Sequence, residues 1–182
     1  MLDNELYPII AAVKSRPEFI NALSSDIEAI FLLSSNIIDV DELVRLAHEK
    51  NKKLYFHMDF VDGLSKDTAG VRYLATKGVD GIISTRSNVI NAAHDAGIHS
   101  IQRFFMIDSR SVDTSLESLK QSKADMIEIM PAVAYKAIAK IKSKCRIPII
   151  AGGLVDSRDE VYRAISAGAS LVSTGCAELW ND

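Results

Sequence analysis

Short apolar, β-branched runs alternate with longer amphipathic stretches along the whole chain, and this alternation restricts the fold more than any other feature. The runs are Pro8–Val13, Ile27–Leu33, Leu54–Met58, Val79–Ser84, Ile98–Ile107, Met126–Met130, Ile147–Ala151 and Ser170–Ser173. Between them the apolar residues recur with helical spacing. Val40–Glu49 sets Leu43, Val44 and Ala47 on one face and Asp41, Glu42, Arg45 and Glu49 elsewhere. Glu117–Lys123, Val133–Ser143 and Arg158–Ala167 read the same way. Asp39, Ser87, Asp113 and Asp156 are candidate helix starts, and Gly78, Gly97 and Gly168 are candidate helix stops.

Eight strand candidates, seven intervening helices and a short C-terminal segment, Ala177–Trp180, predict an α/β fold with a parallel sheet. The near-continuous hydrophobicity of the runs fits strands covered by helices on their outer face. An open doubly wound sheet and a closed barrel both satisfy the alternation, and the count of eight favours a small single-domain TIM-like (β/α)8 barrel spanning residues 1–182. At about 23 residues per strand–helix unit the loops must be short.

Composition narrows the function classes. With 48% hydrophobic and 25% charged residues the chain can bury a core, which excludes a disordered polypeptide. Cys145 and Cys176 are too few for a disulfide scaffold and read as reduced thiols, in keeping with a cytoplasmic protein. The apolar runs are far shorter than a bilayer span, and the N-terminal MLDNELYP lacks the basic and apolar regions of a signal peptide. A net charge of −3 argues against coating nucleic acid by bulk charge, while leaving room for a local basic patch.

In either architecture ligands bind at the carboxyl ends of the strands, so the residues that follow each run are the candidates. After the seventh run comes Ala151-Gly152-Gly153, and the eighth runs into Ser173-Thr174-Gly175. Glycines let the backbone approach a phosphate, and exposed N–H groups and hydroxyls donate to it. After the fourth run, Ser84 and Thr85 precede Arg86, a fixed charge able to pair with phosphate or carboxylate. Ser87 and Asn88 are explained by capping the next helix.

The third run ends in His57 and Asp59, which share a face with Tyr55 and are expected at the barrel mouth. The fifth contains Gln102-Arg103, of which only one can face inward, and the sixth contains Glu128 between two isoleucines. Glu128 is expected inside with Arg103 as its partner, since a buried carboxylate needs one. Lys136, Lys140 and Lys144 recur every four residues, as a nucleic-acid contact or a solvated face. No zinc-ligand spacing, Walker loop or nucleophile elbow is present.

The segments HMDFVDG, GIISTRSNVI, IQRFFMID, IEIMPA, IPIIAGG and AGASLVSTG, taken together, resemble the glycerol uptake operon antiterminator regulatory protein family of Gram-positive bacteria. The likeness runs from Pro8 to Trp180 and departs at Ala132, where relatives carry glycine after the same IEIMP stretch. The resemblance implies a phosphate-binding barrel that is not an enzyme. It implies glycerol 3-phosphate as effector, with no other cofactor and no metal, and leader messenger RNA as partner, with a homo-oligomer open. It puts the phosphate on Gly152, Gly153, Ser173, Thr174 and Gly175, and the glycerol part near the strand-four loop and the polar lumen. The residues alone also allow a barrel enzyme on a small phosphorylated substrate, such as an isomerase, a lyase or a phosphoglycerol transferase. His57, Asp59 or Glu128 would then be acid or base, and Lys14 is the one lysine near a strand end.

Overall fold

A computed structural model describes residues 8–181; the N-terminal segment read above against a signal peptide, residues 1–7, lies outside the described residues. Eight parallel strands close into a barrel in chain order: β1 (Ile9–Val13), β2 (Ala29–Leu32), β4 (Lys53–His57), β6 (Gly81–Ser84), β7 (His99–Phe105), β8 (Met126–Met130), β9 (Ile149–Gly152) and β10 (Leu171–Thr174), with β10 pairing back to β1. Two further strands, β3 (Ser35–Asn36) and β5 (Val61–Asp62), form a separate parallel pair in the loops after β2 and β4. The helices are α1 (Arg16–Leu23), α2 (Val40–Glu49), α3 (Thr68–Thr76), α4 (Ser87–Asp95), α5 (Ser109–Leu119), α6 (Tyr135–Lys142) and α7 (Arg158–Ser166), and the last strand leads into a 3-10 turn, Ala177–Leu179. The TIM-like (β/α)8 architecture expected from the alternation is therefore the architecture observed.

Strand periodicity divides the core in two. One face of each strand, including Leu54, Phe56, Ile82, Ile127, Ile129 and Ile149, packs against the helices. The other face fills the lumen with Ile10, Phe31, Tyr55, Ile83, Ile101, Met126, Ile150 and Leu171. Two residues further along, the inward positions become His57 on β4, Arg103 on β7, Glu128 on β8, Gly152 on β9 and Ser173 on β10, all buried. The lumen thus changes from apolar to polar toward the carboxyl ends. Gly81 is required by the packing beneath, since a Cβ there would sit 2.4 Å from the Tyr55 ring and 2.7 Å from the His99 carbonyl.

The helix boundaries correct the sequence reading. Asp39 holds the N-cap position of α2 as expected but makes no capping bond with its side chain; Asn36 caps the 3-10 turn just before it, accepting from the Ile38 and Asp39 N–H groups. Ser87 is the first residue of α4 rather than its cap. Asp113 lies inside α5, which Asp108 caps in a reciprocal box with Ser111. Asp156 stands one residue before Ser157, which caps α7 in the same way with Glu160. The fifth helix occupies Ser109–Leu119 rather than Glu117–Lys123. Its first turns carry only Val112 as a large apolar residue, so the hydrophobic pattern starts later than the helix does. Gly78, Gly97 and Gly168 follow helices with positive φ, as expected of helix stops.

Candidate functional site

A cavity of about 620 Å³ opens at the carboxyl ends of β1, β7, β8, β9 and β10. Its deep wall is Arg103 and Glu128; its sides are the turns after β9 and β10; Lys14, just past β1, lines it as well. The register explains the grouping, because β7 pairs Arg103 with Glu128 on β8. Arg103 Nε donates to Glu128 Oε2 at 2.5 Å, and Ser173 Oγ donates to Glu128 Oε1 at 2.7 Å. Both carboxylate oxygens are thus engaged. Arg103 is 7% exposed and makes no other hydrogen bond among the described residues, so its terminal N–H groups are left for the cavity. A buried carboxylate is tolerated here because an opposite charge and a hydroxyl meet it at close range.

The glycines serve different ends. Gly152 faces the lumen, and a Cβ there would lie 2.4 Å from Ser173 Oγ and 2.5 Å from Glu128 Oε1. Its missing side chain makes room for the Glu128 network. Gly153 has φ +77°, which only glycine adopts freely, and its peptide turns toward the cavity. Leu154 follows, also with positive φ. Gly153 is joined to the loop after β8, as Ala132 N donates to the Gly153 carbonyl at 3.1 Å. The hydroxyl of Thr174 is committed elsewhere: it donates to the Val155 carbonyl at 2.6 Å and accepts from Cys176 N at 2.9 Å. Trp180 Nε1 holds the Thr174 carbonyl at 3.0 Å, which fixes the turn after β10. Thr174 braces the turn with its side chain, in place of the free hydroxyl donor expected from sequence.

The opposite half of the mouth is a closed network. β4 ends at His57, so Asp59 lies in the 3-10 turn Met58–Phe60 instead of continuing the strand face expected of it. Asp59 accepts from Ser84 Oγ at 2.8 Å, Thr85 N at 2.9 Å and Thr85 Oγ1 at 3.0 Å. Burial pushes its carboxyl up, but these donors outweigh it and hold the group below the ordinary carboxylate value. Arg86 Nε stands 3.5 Å from Asp59, with its side chain 57% exposed. His57 is buried, and neither ring nitrogen has a hydrogen-bond partner among the described residues. Its ring packs against Phe60 with centroids 4.8 Å apart. Burial, reinforced by the Arg103 charge and opposed by Asp59, pushes His57 down to about 4.

Gln102 is the inward-facing candidate that the structure turns outward. Its Nε2 donates to Ser87 Oγ at 2.9 Å and lies 3.3 Å from Ser118 Oγ, between α4 and α5. Arg103 takes the lumen because it is the one of the two in register with Glu128. The lysine row is interrupted too. Lys140 is paired with Asp113 on α5 at 2.8 Å, and Lys144 lies beyond the end of α6, which leaves Lys136 on the helix without an ion pair among the described residues. None of the three lines the cavity. Among the described residues no cluster of His, Cys, Asp and Glu is suited to a metal ion, and both cysteines are free. The charged cavity-lining residues that the sequence reading left out of its site are Lys14, Asp156 and Glu178; Lys14 follows the first strand much as Arg86 follows the fourth.

Two outcomes test this geometry. Glu128→Ala leaves the Arg103 charge buried and unpaired, so it should cost about 3–5 kcal/mol in denaturant unfolding. The Arg103→Met/Glu128→Leu double variant should recover most of that loss; a small cost for the single variant would show that the pair is not buried. For His57, the unfolded chain takes up a proton near 6.5 while the folded chain resists until about 4. The unfolded state therefore binds more protons in that window, and stability falls as pH drops from 6.5 to 4. His57→Phe should flatten that slope, and a slope equal to the wild type would assign it to other groups.

Comparison with known proteins gives a consistent result. A family model described as glycerol-3-phosphate responsive antiterminator matches residues 9–180. The uncharacterized protein YgcP of Escherichia coli (strain K12) is 33% identical over 174 residues, which is 95% of this chain and 91% of that protein. The crystal structure of the glycerol uptake operon antiterminator regulatory protein from Listeria monocytogenes superposes with a TM-score of 0.92 at 33% identity, over 96% of this chain and 95% of that one. A glycerol uptake operon antiterminator-related protein from Thermotoga maritima gives 0.84 at 29% identity, over 94% and 96%. A family match across almost the whole described barrel, its polar mouth included, is decisive: the chain belongs to the glycerol-3-phosphate responsive antiterminator family.

Proposed function

We propose that this protein is a cytoplasmic, glycerol 3-phosphate-responsive regulator of transcription antitermination that acts on the leader messenger RNA of glycerol uptake and catabolism genes. The observation that carries the reading is the family match over residues 9–180, which includes every element around the cavity. In this reading the phosphate lies against the Gly152-Gly153 and Ser173-Thr174-Gly175 turns, where Gly153 and Gly175 let the backbone come close to it. The hydroxyls face Arg103 and Glu128, with His57 at the same depth on β4. The loop of Ser84, Thr85 and Arg86 borders the far side, fastened to Asp59.

The two carboxylates that the sequence offers as acid or base, Glu128 and Asp59, are both committed. Glu128 has both oxygens engaged, and Asp59 accepts three hydrogen bonds, so neither stands free as a general base. A hydrogen bond between the β8 and β9 turns supports a link from the cavity to α6. The Gly153 turn is hydrogen-bonded to Ala132, three residues before α6 and its lysines. A ligand that binds one arrangement of these loops better than another shifts the population toward it. No helix among the described residues is long and apolar enough to cross a membrane.

Calorimetric titration with glycerol 3-phosphate, against glycerol and inorganic phosphate as controls, tests the ligand. Saturable binding that needs both halves of the molecule, with the ligand recovered intact, is the expected outcome. Consumption of the ligand would make the protein an enzyme, and absence of binding would remove the effector. For the RNA, charge reversal of Lys136, Lys140 and Lys144 to Glu should weaken binding to the leader and flatten its salt dependence, by up to about one unit of log–log slope for each RNA phosphate that is no longer neutralised. Unchanged RNA affinity would make the row a solvated face.

A further inference from the structure

We propose that Lys14 is the side chain that matches the phosphoryl charge of the ligand and selects a dianionic phosphate monoester over a monoanionic analogue. The inference rests on the ligand reading above and adds to it the residue that sets charge selectivity. Lys14 lies one residue past the end of β1 and lines the cavity. β1 pairs with β10 in the register Ala11 to Thr174, so the chain at Lys14 runs beside the turn that starts at Gly175. The lysine and the glycine turn are therefore neighbours by backbone geometry.

The charges around the cavity single Lys14 out. Arg103 is the other cation in the lining, and Glu128 neutralises it at 2.5 Å. Arg86 is directed at Asp59, on the other half of the mouth, and does not line the cavity. Two more carboxylates, Asp156 and Glu178, do line it. With the Arg103–Glu128 pair cancelled, these two acids leave the lining negative apart from Lys14. Backbone N–H groups alone would have to hold a dianion against that field. Lys14 forms no ion pair among the described residues; its backbone N–H, not its ammonium, contacts Glu18, at 2.6 Å. The ammonium is thus available. A flexible stem carrying a compact charge suits a phosphoryl group, which offers three oxygens and demands no fixed fork. Arg103 has the complementary character, a held planar fork for hydroxyls.

The test uses titration of the whole protein with glycerol 3-phosphate and with glyceryl sulfate, its monoanionic isostere. At about pH 8 a phosphate monoester is dianionic, since its second ionisation lies near 6. The wild type is expected to prefer the phosphate by about tenfold or more. Lys14→Met should weaken phosphate binding by about tenfold and reduce the preference over sulfate to about threefold or less. Lys14→Arg should restore part of both. Lys14 is exposed, so an unchanged melting temperature is expected and separates lost charge from lost fold. A Lys14→Met protein that keeps wild-type affinity or wild-type preference overturns the assignment while leaving the ligand reading intact. A wild type that binds neither compound overturns both.

Discussion

The ion pair between Arg103 and Glu128 sets the geometry of the barrel mouth. Closing eight strands forces every second side chain into the lumen, and below this level the lumen is filled with aliphatic and aromatic groups. Two opposite charges placed side by side by the β7–β8 register end that packing. Removing them from water costs several kcal/mol per ion in general, and only close contact with further hydrogen bonds offsets it. Ser173 supplies the remaining bond on the carboxylate. Gly152 is glycine because the Glu128 oxygen and Ser173 Oγ occupy the space of its side chain. One carboxylate thus dictates a serine on β10, a glycine on β9 and an arginine on β7, and together they form the floor of the cavity.

The two halves of the mouth divide the labour. On the β4–β6 side Asp59 gathers Ser84, Thr85 and Arg86 into one hydrogen-bonded knot. His57 is buried beside it, held neutral by burial and by the nearby Arg103 charge. That half is closed on itself by these bonds. On the β9–β10–β1 side the chain turns on Gly153 and Gly175, with Lys14 alongside and unpaired among the described residues. That half carries a cation next to two exposed acids around the cavity.

The architecture is legible in the sequence because burial on one face leaves a strong imprint. Lumen and helix-facing positions alternate in the strand runs, and the number of runs matches a closed barrel. Glu128 between Ile127 and Ile129 can be placed inward for the same reason. Gln102 and Arg103 cannot be separated that way, because both neighbours are apolar and only the register with β8 decides between them. Asp59 reads as a strand residue because the end of β4 is set by the turn toward β5, which periodicity does not encode. Thr174 looks like a phosphate donor in sequence, and only the Val155 carbonyl reveals that its hydroxyl is taken. Helix caps escape the pattern where the first turn is polar, as in α5.

A ligand changes an equilibrium only through a difference in its affinity for two arrangements of the protein. The lumen offers no such pair of arrangements. Its side chains are close-packed, its one carboxylate is doubly bonded, and moving either partner would expose a charge without a counter-ion. Above that packed layer the cavity is bordered by the end of β8 and the turns after β9 and β10. Of these, the β10 turn is pinned by Trp180 and by the Thr174 hydroxyl. The β8 and β9 turns are joined to each other by the Ala132–Gly153 hydrogen bond, and the β8 turn leads straight into α6. A displacement of Gly153 would have to break or carry with it the hydrogen bond from Ala132. The structural connection from this cavity to the outer surface therefore runs from the β9 turn through the β8 turn into α6.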